Sequence, residues 1–125
     1  MKKSVKITLS VIAAFVLIGL AALLAKTQPN KVLYTSDSCP HCQNVEDFVV
    51  ENKITDYVDF TTLEVSQNPQ NAQMFNATAE RCGIEPDQRG VPLFYDGETC
   101  YLGDVDIIKY FQDKKIWKNK PQLDS

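Results

Sequence analysis

Cys39-Pro40-His41-Cys42 is the stretch of this 125-residue chain whose residue types and spacing can do chemistry. Two cysteines separated by two residues can close and open a disulfide, and the attacking species in that exchange is a thiolate. A free cysteine has a pKa of about 8.5, so the nucleophile needs its anion stabilised. Cys39 has the means if a helix begins behind it. Unpaired N–H groups and the positive end of the helix dipole then face its sulfur, and His41 adds a further donor or a positive charge. Pro40 suits the first helical position, where its missing N–H is no loss, and it fixes the turn. Cys42 falls one turn inside, shielded and less acidic, suited to resolving a mixed disulfide by attacking Cys39. The competing chemistry is metal binding, with Cys39, Cys42 and His41 or another cysteine around zinc or copper(I). A second half-site of close spacing is missing, because Cys82 and Cys100 stand 18 residues apart, so no metal ligand set is assigned.

The elements that must position this motif can be read on either side of it. Lys31 to Thr35 is β-branched and aromatic, reads as a short strand, and ends at the polar turn Ser36-Asp37-Ser38. Beyond Pro40, Cys42, Val45, Phe48 and Val49 have the spacing of one helix face until about Asn52. Val58 to Val65 reads as a second strand, although its alternation slips phase between Phe60 and Leu63. Strand, helix and strand of these lengths make a βαβ unit with a parallel pair and a right-handed crossover. Asn68-Pro69 caps a second helix that Gly83 stops, with Ala72, Phe75, Ala79 and Cys82 on its apolar stripe. Gly90 to Tyr95 reads as a strand opened by Pro92, Asp96-Gly97 as a hairpin turn, and Glu98 to Leu102 as the antiparallel return. Gly103 breaks that strand and Asp104 caps a last helix whose apolar face is Val105, Ile107, Ile108 and Phe111. Lys114 to Ser125, with four lysines and Trp117, has no clear period.

This order, β-α-β-α-β-β-α with Cys39-Pro40-His41-Cys42 opening the first helix, Val91-Pro92 about fifty residues later and Gly103-Asp104 before the last helix, resembles the thioredoxin superfamily, and its glutaredoxin-like branch most. The resemblance implies an α/β fold with a mixed four-stranded sheet. It also implies a cis-proline at Pro92 lying against the cysteine motif, with the backbone of Val91 pairing with the substrate chain. No cofactor is implied beyond the redox-active disulfide Cys39–Cys42. The Pro-His dipeptide is similar to that of the DsbA type of exported thiol oxidase, in which the reduced thiolate is strongly stabilised. The chain lacks the inserted helical domain of DsbA proteins and has Ser38 where thioredoxins carry a Trp, so the direction of electron flow stays open. Before the last helix it has only Leu102-Gly103-Asp104 where glutaredoxins carry a Gly-Gly and Asp segment, and no glutathione site is assigned. In this fold Cys82 and Cys100 fall in one region. A structural disulfide is the leading reading for an exported domain, with two buried free thiols or an accessory redox pair as the alternatives.

Charge and hydropathy divide the chain in two. Ile7 to Ala25 is an uncharged run of 19 residues that as a helix reaches roughly 28 Å, close to the hydrocarbon thickness of a bilayer. Lys2, Lys3 and Lys6 before it keep the amino terminus in the cytoplasm and send the rest of the chain across. The leading reading is an uncleaved transmembrane signal anchor; a cleaved signal peptide and a buried core helix are the alternatives. Residues 1–6 are then a cytoplasmic tail, 7–25 the anchor, 26–30 a linker, 31–120 the thioredoxin-like domain and 121–125 a tail. After Lys26 nine basic residues stand against 16 acidic ones, a charge of −7, which speaks against nucleic-acid binding. The expectation is a single-pass membrane protein, monomeric, whose extracytoplasmic domain exchanges disulfides with exported client proteins and is recharged by a redox partner. A metal-binding thioredoxin-fold module is the runner-up.

Overall fold

The structure, a computed structural model, describes residues 2–24 and 30–119. The expected end of the anchor at Ala25, most of the linker, the domain end at residue 120 and the tail 121–125 lie outside these residues. Helix α1 is Lys2–Leu24 and contains an 18-residue window, Lys3–Leu20, of mean hydropathy 1.9, long and apolar enough to cross a membrane. It begins five residues earlier than the apolar run, because nothing in Lys2 to Lys6 breaks a helix, and the lysines belong to its first turns. The Thr8 hydroxyl donates to the carbonyls of Ser4 and Val5, both at 2.9 Å, so this polar group is satisfied within the helix.

The remaining elements are β1 (Val32–Thr35), α2 (Pro40–Glu51), β2 (Thr61–Glu64), α3 (Pro69–Arg81), β3 (Leu93–Tyr95), β4 (Cys100–Leu102) and α4 (Asp104–Asn119), with short 3-10 turns at Ile54–Asp56 and Pro86–Gln88. The sheet is mixed, in the order β2-β1-β3-β4. β1 pairs parallel with β2 in the register Val32 to Thr61, and antiparallel with β3 in the register Val32 to Tyr95; β3 pairs antiparallel with β4. Each face of the sheet carries its own core. Leu33, Val45, Ile54, Val58, Phe94, Ile107, Tyr110 and Phe111 pack together on the side of α2 and α4. Val32, Tyr34, Ala79 and Leu93 pack on the side of α3, where the Tyr34 and Thr78 hydroxyls meet at 2.9 Å.

Two-sided burial explains the phase slip in the second strand. Val58 and Phe60 belong to one core and Leu63 to the other, so apolar residues change face along the segment, and only Thr61–Glu64 is strand. Three further expectations change. Val105 is 76% exposed and Tyr110 takes its place on the buried side of α4. Cys82 is half-buried at the end of α3, and buried Thr78 and Ala79 carry that helix's contact with the sheet. α4 runs on to Asn119 through the stretch that shows no period in the sequence.

The two ends of the β3–β4 region depend on glycine. At Gly97 φ is 100° and a Cβ would lie 2.9 Å from the carbonyl oxygen of Asn30, so only glycine lets the turn close there. Gly103, at φ 90°, gives its carbonyl to Ile107 N–H at 3.3 Å and its N–H to the Pro92 carbonyl at 2.9 Å. It therefore holds the cap position of α4, and Asp104 is the first helical residue, one place later than its expected role as the cap.

Candidate redox site

β1 leads through the Ser36-Asp37-Ser38 turn directly to Cys39, which is extended (φ −106°, ψ 109°) and occupies the cap position of α2. Pro40 follows as the first helical residue with its ring exposed. The Cys39 sulfur accepts the N–H of Cys42 at 3.2 Å, the contact expected of a capping group at a helix start. Cys39 and Cys42 are joined as a disulfide with Cα atoms 5.2 Å apart. Their surroundings differ: Cys39 is partly exposed, whereas Cys42 is 1% exposed. An attacking thiolate from outside therefore reaches the Cys39 sulfur first.

The Val91–Pro92 peptide bond is cis, and the Val91 carbonyl oxygen lies 3.6 Å from the Cys39 sulfur. Pro92 is fully buried and Val91 half-buried against the α3-side core. The loop is held from the other side as well. Gln67 donates from Nε2 to the Asp37 carboxylate at 2.7 Å, and Glu64 accepts from Gln67 N–H at 2.8 Å and from both the N–H and the hydroxyl of Ser66. These hydrogen bonds, the Ser66 hydroxyl's first, hold the Glu64 carboxyl below the usual carboxylate range.

His41 is exposed, and its Nδ1 lies 3.1 Å from Oδ2 of Asp104 across 63 residues of sequence. The same Asp104 oxygen accepts from Asn44 Nδ2 at 2.8 Å. The hydrogen bond from Asn44, then that from His41, keeps the Asp104 carboxyl below its ordinary value despite partial burial. Sequence reasoning places Asp104 as a helix cap and as part of the Gly103-Asp104 resemblance, assigns it no contact with His41, and does not single out Asn44. The available signal is that Asn44 stands three residues after His41, so both project from one face of α2.

Cys82 and Cys100 are joined, with Cα atoms 6.1 Å apart, tying the end of α3 to the edge strand β4. They lie apart from the Cys39–Cys42 pair and border an open groove with Arg81, Gln88, Glu98 and Asp106. Arg89 donates from Nε to the Ile84 carbonyl at 3.1 Å and from Nη1 to Asn76 at 3.4 Å, so it is engaged in holding the loop after α3. Among the described residues no group of three or more His, Cys, Asp or Glu side chains is placed to hold a metal ion.

A family model described as glutaredoxin matches residues 32–99, more than half of the chain and the whole span from β1 to the β3–β4 turn. The chain belongs to the glutaredoxin family. Solved glutaredoxins share its fold: the wheat protein at 20% identity and a TM-score of 0.51, covering 82% of this chain and 86% of that one. Oxidized glutaredoxin 2 from Chlamydomonas reinhardtii gives 18% identity and a TM-score of 0.50 over 72% and 78% of the two chains. Buckwheat glutaredoxin, solved as a glutathione complex, gives 19% and 0.50 over 72% and 74%. No curated protein sequence matches the chain. A glutaredoxin fold carrying the Cys39–Cys42 pair at a helix start supports thiol–disulfide oxidoreductase chemistry.

Proposed function

We propose that this glutaredoxin-family chain is a membrane-anchored, extracytoplasmic thiol–disulfide oxidoreductase that exchanges disulfides with exported proteins. The observation that carries the reading is the unequal placement of the two sulfurs, Cys39 partly exposed as the cap of α2 and Cys42 buried behind it. In this reading Cys39 is the nucleophile, stabilised as a thiolate by the Cys42 N–H and the positive end of the α2 dipole. Cys42 is the resolving thiol, Pro40 fixes the turn, and His41 tunes the site. The client backbone lies along Val91 beside Pro92, where the Val91 carbonyl already faces the Cys39 sulfur. Cys82–Cys100 is the structural disulfide, and a redox partner recharges the working pair. Membrane attachment rests on α1, whose length and apolar composition suit a bilayer span, and export of the domain rests on the lysines at its start.

The test is replacement of the resolving thiol. Cys42→Ala leaves Cys39 able to attack a client disulfide but unable to release the product, so mixed disulfides with exported proteins should accumulate and disappear on reduction. If Cys39 in this variant alkylates readily yet carries no client adduct in cells, the exchange reading fails. Metal retained in stoichiometric amount by the purified wild-type chain would instead favour the zinc or copper module.

A further inference from the structure

Asp104 stands where two parts of the molecule converge on His41. Its position is set by the Gly103 turn, whose N–H is bonded to the Pro92 carbonyl, so the residue beside the cysteine pair also anchors the start of α4. From there the carboxylate uses Oδ1 on the N–H of Val105 at 3.1 Å and Oδ2 on Asn44 and His41. An ionised carboxylate only accepts hydrogen bonds, so His41 must donate from Nδ1, and Nε2 is the ring nitrogen left free. The burial gradient points the same way: the Asp104 side chain is 18% exposed and the imidazole 70% exposed. The carboxylate is thus an inner anchor and the imidazole its outward extension.

We propose that Asp104, braced by Asn44, is a positioning residue that fixes His41 through Nδ1 and presents Nε2 as the acceptor for the proton of an incoming thiol. The proposal rests on the oxidoreductase reading. In the step, the client thiol gives its proton to Nε2 and its sulfur bonds to the Cys39 sulfur. The Cys39–Cys42 bond breaks with its electron pair going to Cys42. One client sulfur is oxidised to a mixed disulfide and Cys42 is reduced to a thiolate, while the imidazolium returns its proton to solvent.

His41 is the single histidine of the chain, so its imidazole nitrogens are an unambiguous spectroscopic probe. In the full chain held in detergent micelles, long-range proton–nitrogen correlation spectra of neutral His41 should show the Nδ1–H tautomer. Asp104→Ala should shift the population towards Nε2–H. The same substitution should slow reduction of the Cys39–Cys42 disulfide by dithiothreitol by about tenfold, less than the roughly 10²–10⁴-fold a positioned base contributes, because the imidazole stays and only its placement is lost. It should add no slowing in a His41→Phe background. Asp104→Asn, which keeps an acceptor oxygen, should restore the Nδ1–H tautomer and most of the rate, and it serves if the alanine variant does not fold. Equal slowing by Asp104→Ala with and without His41, or an Nε2–H tautomer in the wild type, overturns the proposal and leaves Asp104 a helix-start residue. A wild-type disulfide that dithiothreitol cannot reduce at all removes the oxidoreductase reading itself, and the proposal with it.

Discussion

Removing the Cys82–Cys100 bond by the double substitution Cys82→Ala/Cys100→Ala should destabilise the domain by about 3 kcal/mol. The bond closes a loop of 18 residues between the end of α3 and the edge strand β4. In the chain-entropy treatment, a loop of that length withholds roughly 10.7 cal/mol/K from the unfolded ensemble, or about 3.2 kcal/mol at 25 °C. Both cysteines are only half-buried, so the two lost sulfurs add a smaller packing contribution. Against the roughly 5–15 kcal/mol typical of small domains this is a large fraction, and it corresponds to a fall in Tm of about 12–25 °C. Changing both residues together leaves no lone thiol to exchange with Cys39. The assay is urea unfolding of the full chain in a mild detergent, followed by near-UV circular dichroism of the tyrosines, with Cys39–Cys42 oxidised in both proteins. The slope against urea should also steepen, because an uncrosslinked denatured chain exposes more surface. A loss under about 1 kcal/mol with an unchanged slope would refute the staple reasoning and point to an accessory redox pair, with its groove as the place of access.

Two further outcomes follow from the same structure. Burial first, then the charges of Asp96 and Tyr101, pushes the Tyr110 hydroxyl up to about 12 from an ordinary value of 10.0. Because the folded value is raised, its contribution to stability is fully present below pH 10 and is lost as pH rises through about 12, with a limiting slope of about 1.4 kcal/mol per pH unit. Tyr110→Phe should flatten that part of the stability profile between these limits; an unchanged alkaline slope in urea melts at pH 10 to 12 would contradict the assignment. The anchor reading predicts that the intact chain stays with membranes through alkaline carbonate extraction, and that protease added outside the cytoplasmic membrane degrades the domain. Recovery of a soluble chain shortened near Ala25 would favour cleavage.

How far the fold could be read from the sequence depended on whether local chemistry or tertiary burial decided each element. Asn68-Pro69 is a local signal. The Asn68 side-chain oxygen accepts the N–H groups of Gln70 and Asn71 at 3.0 and 3.1 Å, and α3 begins where expected. The cysteine motif is equally local, since Pro40 and the apolar spacing of Val45, Phe48 and Val49 suffice to start α2. The second strand was harder, because covering a sheet on both faces removes the alternation that marks a strand edge. Phe60 stacks on Phe111 with ring centroids 5.3 Å apart on the α4 side, while Leu63 turns to α3, and no single period describes both. Val105 fails for a related reason. Helical spacing alone cannot decide which of two adjacent apolar stripes of α4 meets the sheet, and the Tyr110 ring, 5.0 Å from Phe94, fills the place instead. The Asp104 contact with His41 has no local signature at all, since it forms only when α2 and α4 lie side by side.

The chemistry of the pair follows from how this packing treats its two ends. Cys39 occupies a cap that helices ordinarily fill with a hydroxyl, amide or carboxylate oxygen, so the N–H donor that such an oxygen would accept is directed at sulfur. Cys42 lies inside the core face with Val45, and among the described residues no comparable donor is directed at its sulfur. On the proposed reading, the negative charge of the reduced state therefore belongs on Cys39. Each pKa unit by which the folded protein lowers the Cys39 thiol is about 1.4 kcal/mol of preference for the reduced form, or about 30 mV towards the oxidising side. On the proposed reading, the cap, the α2 dipole and His41 all act in that direction, and the Asp104 carboxylate opposes them through its charge while holding the imidazole in place. A reduction potential measured for the wild type and for His41→Phe separates these contributions: a shift to a more reducing value shows His41 acting on the thiolate, and an unchanged potential leaves it only the proton-accepting role.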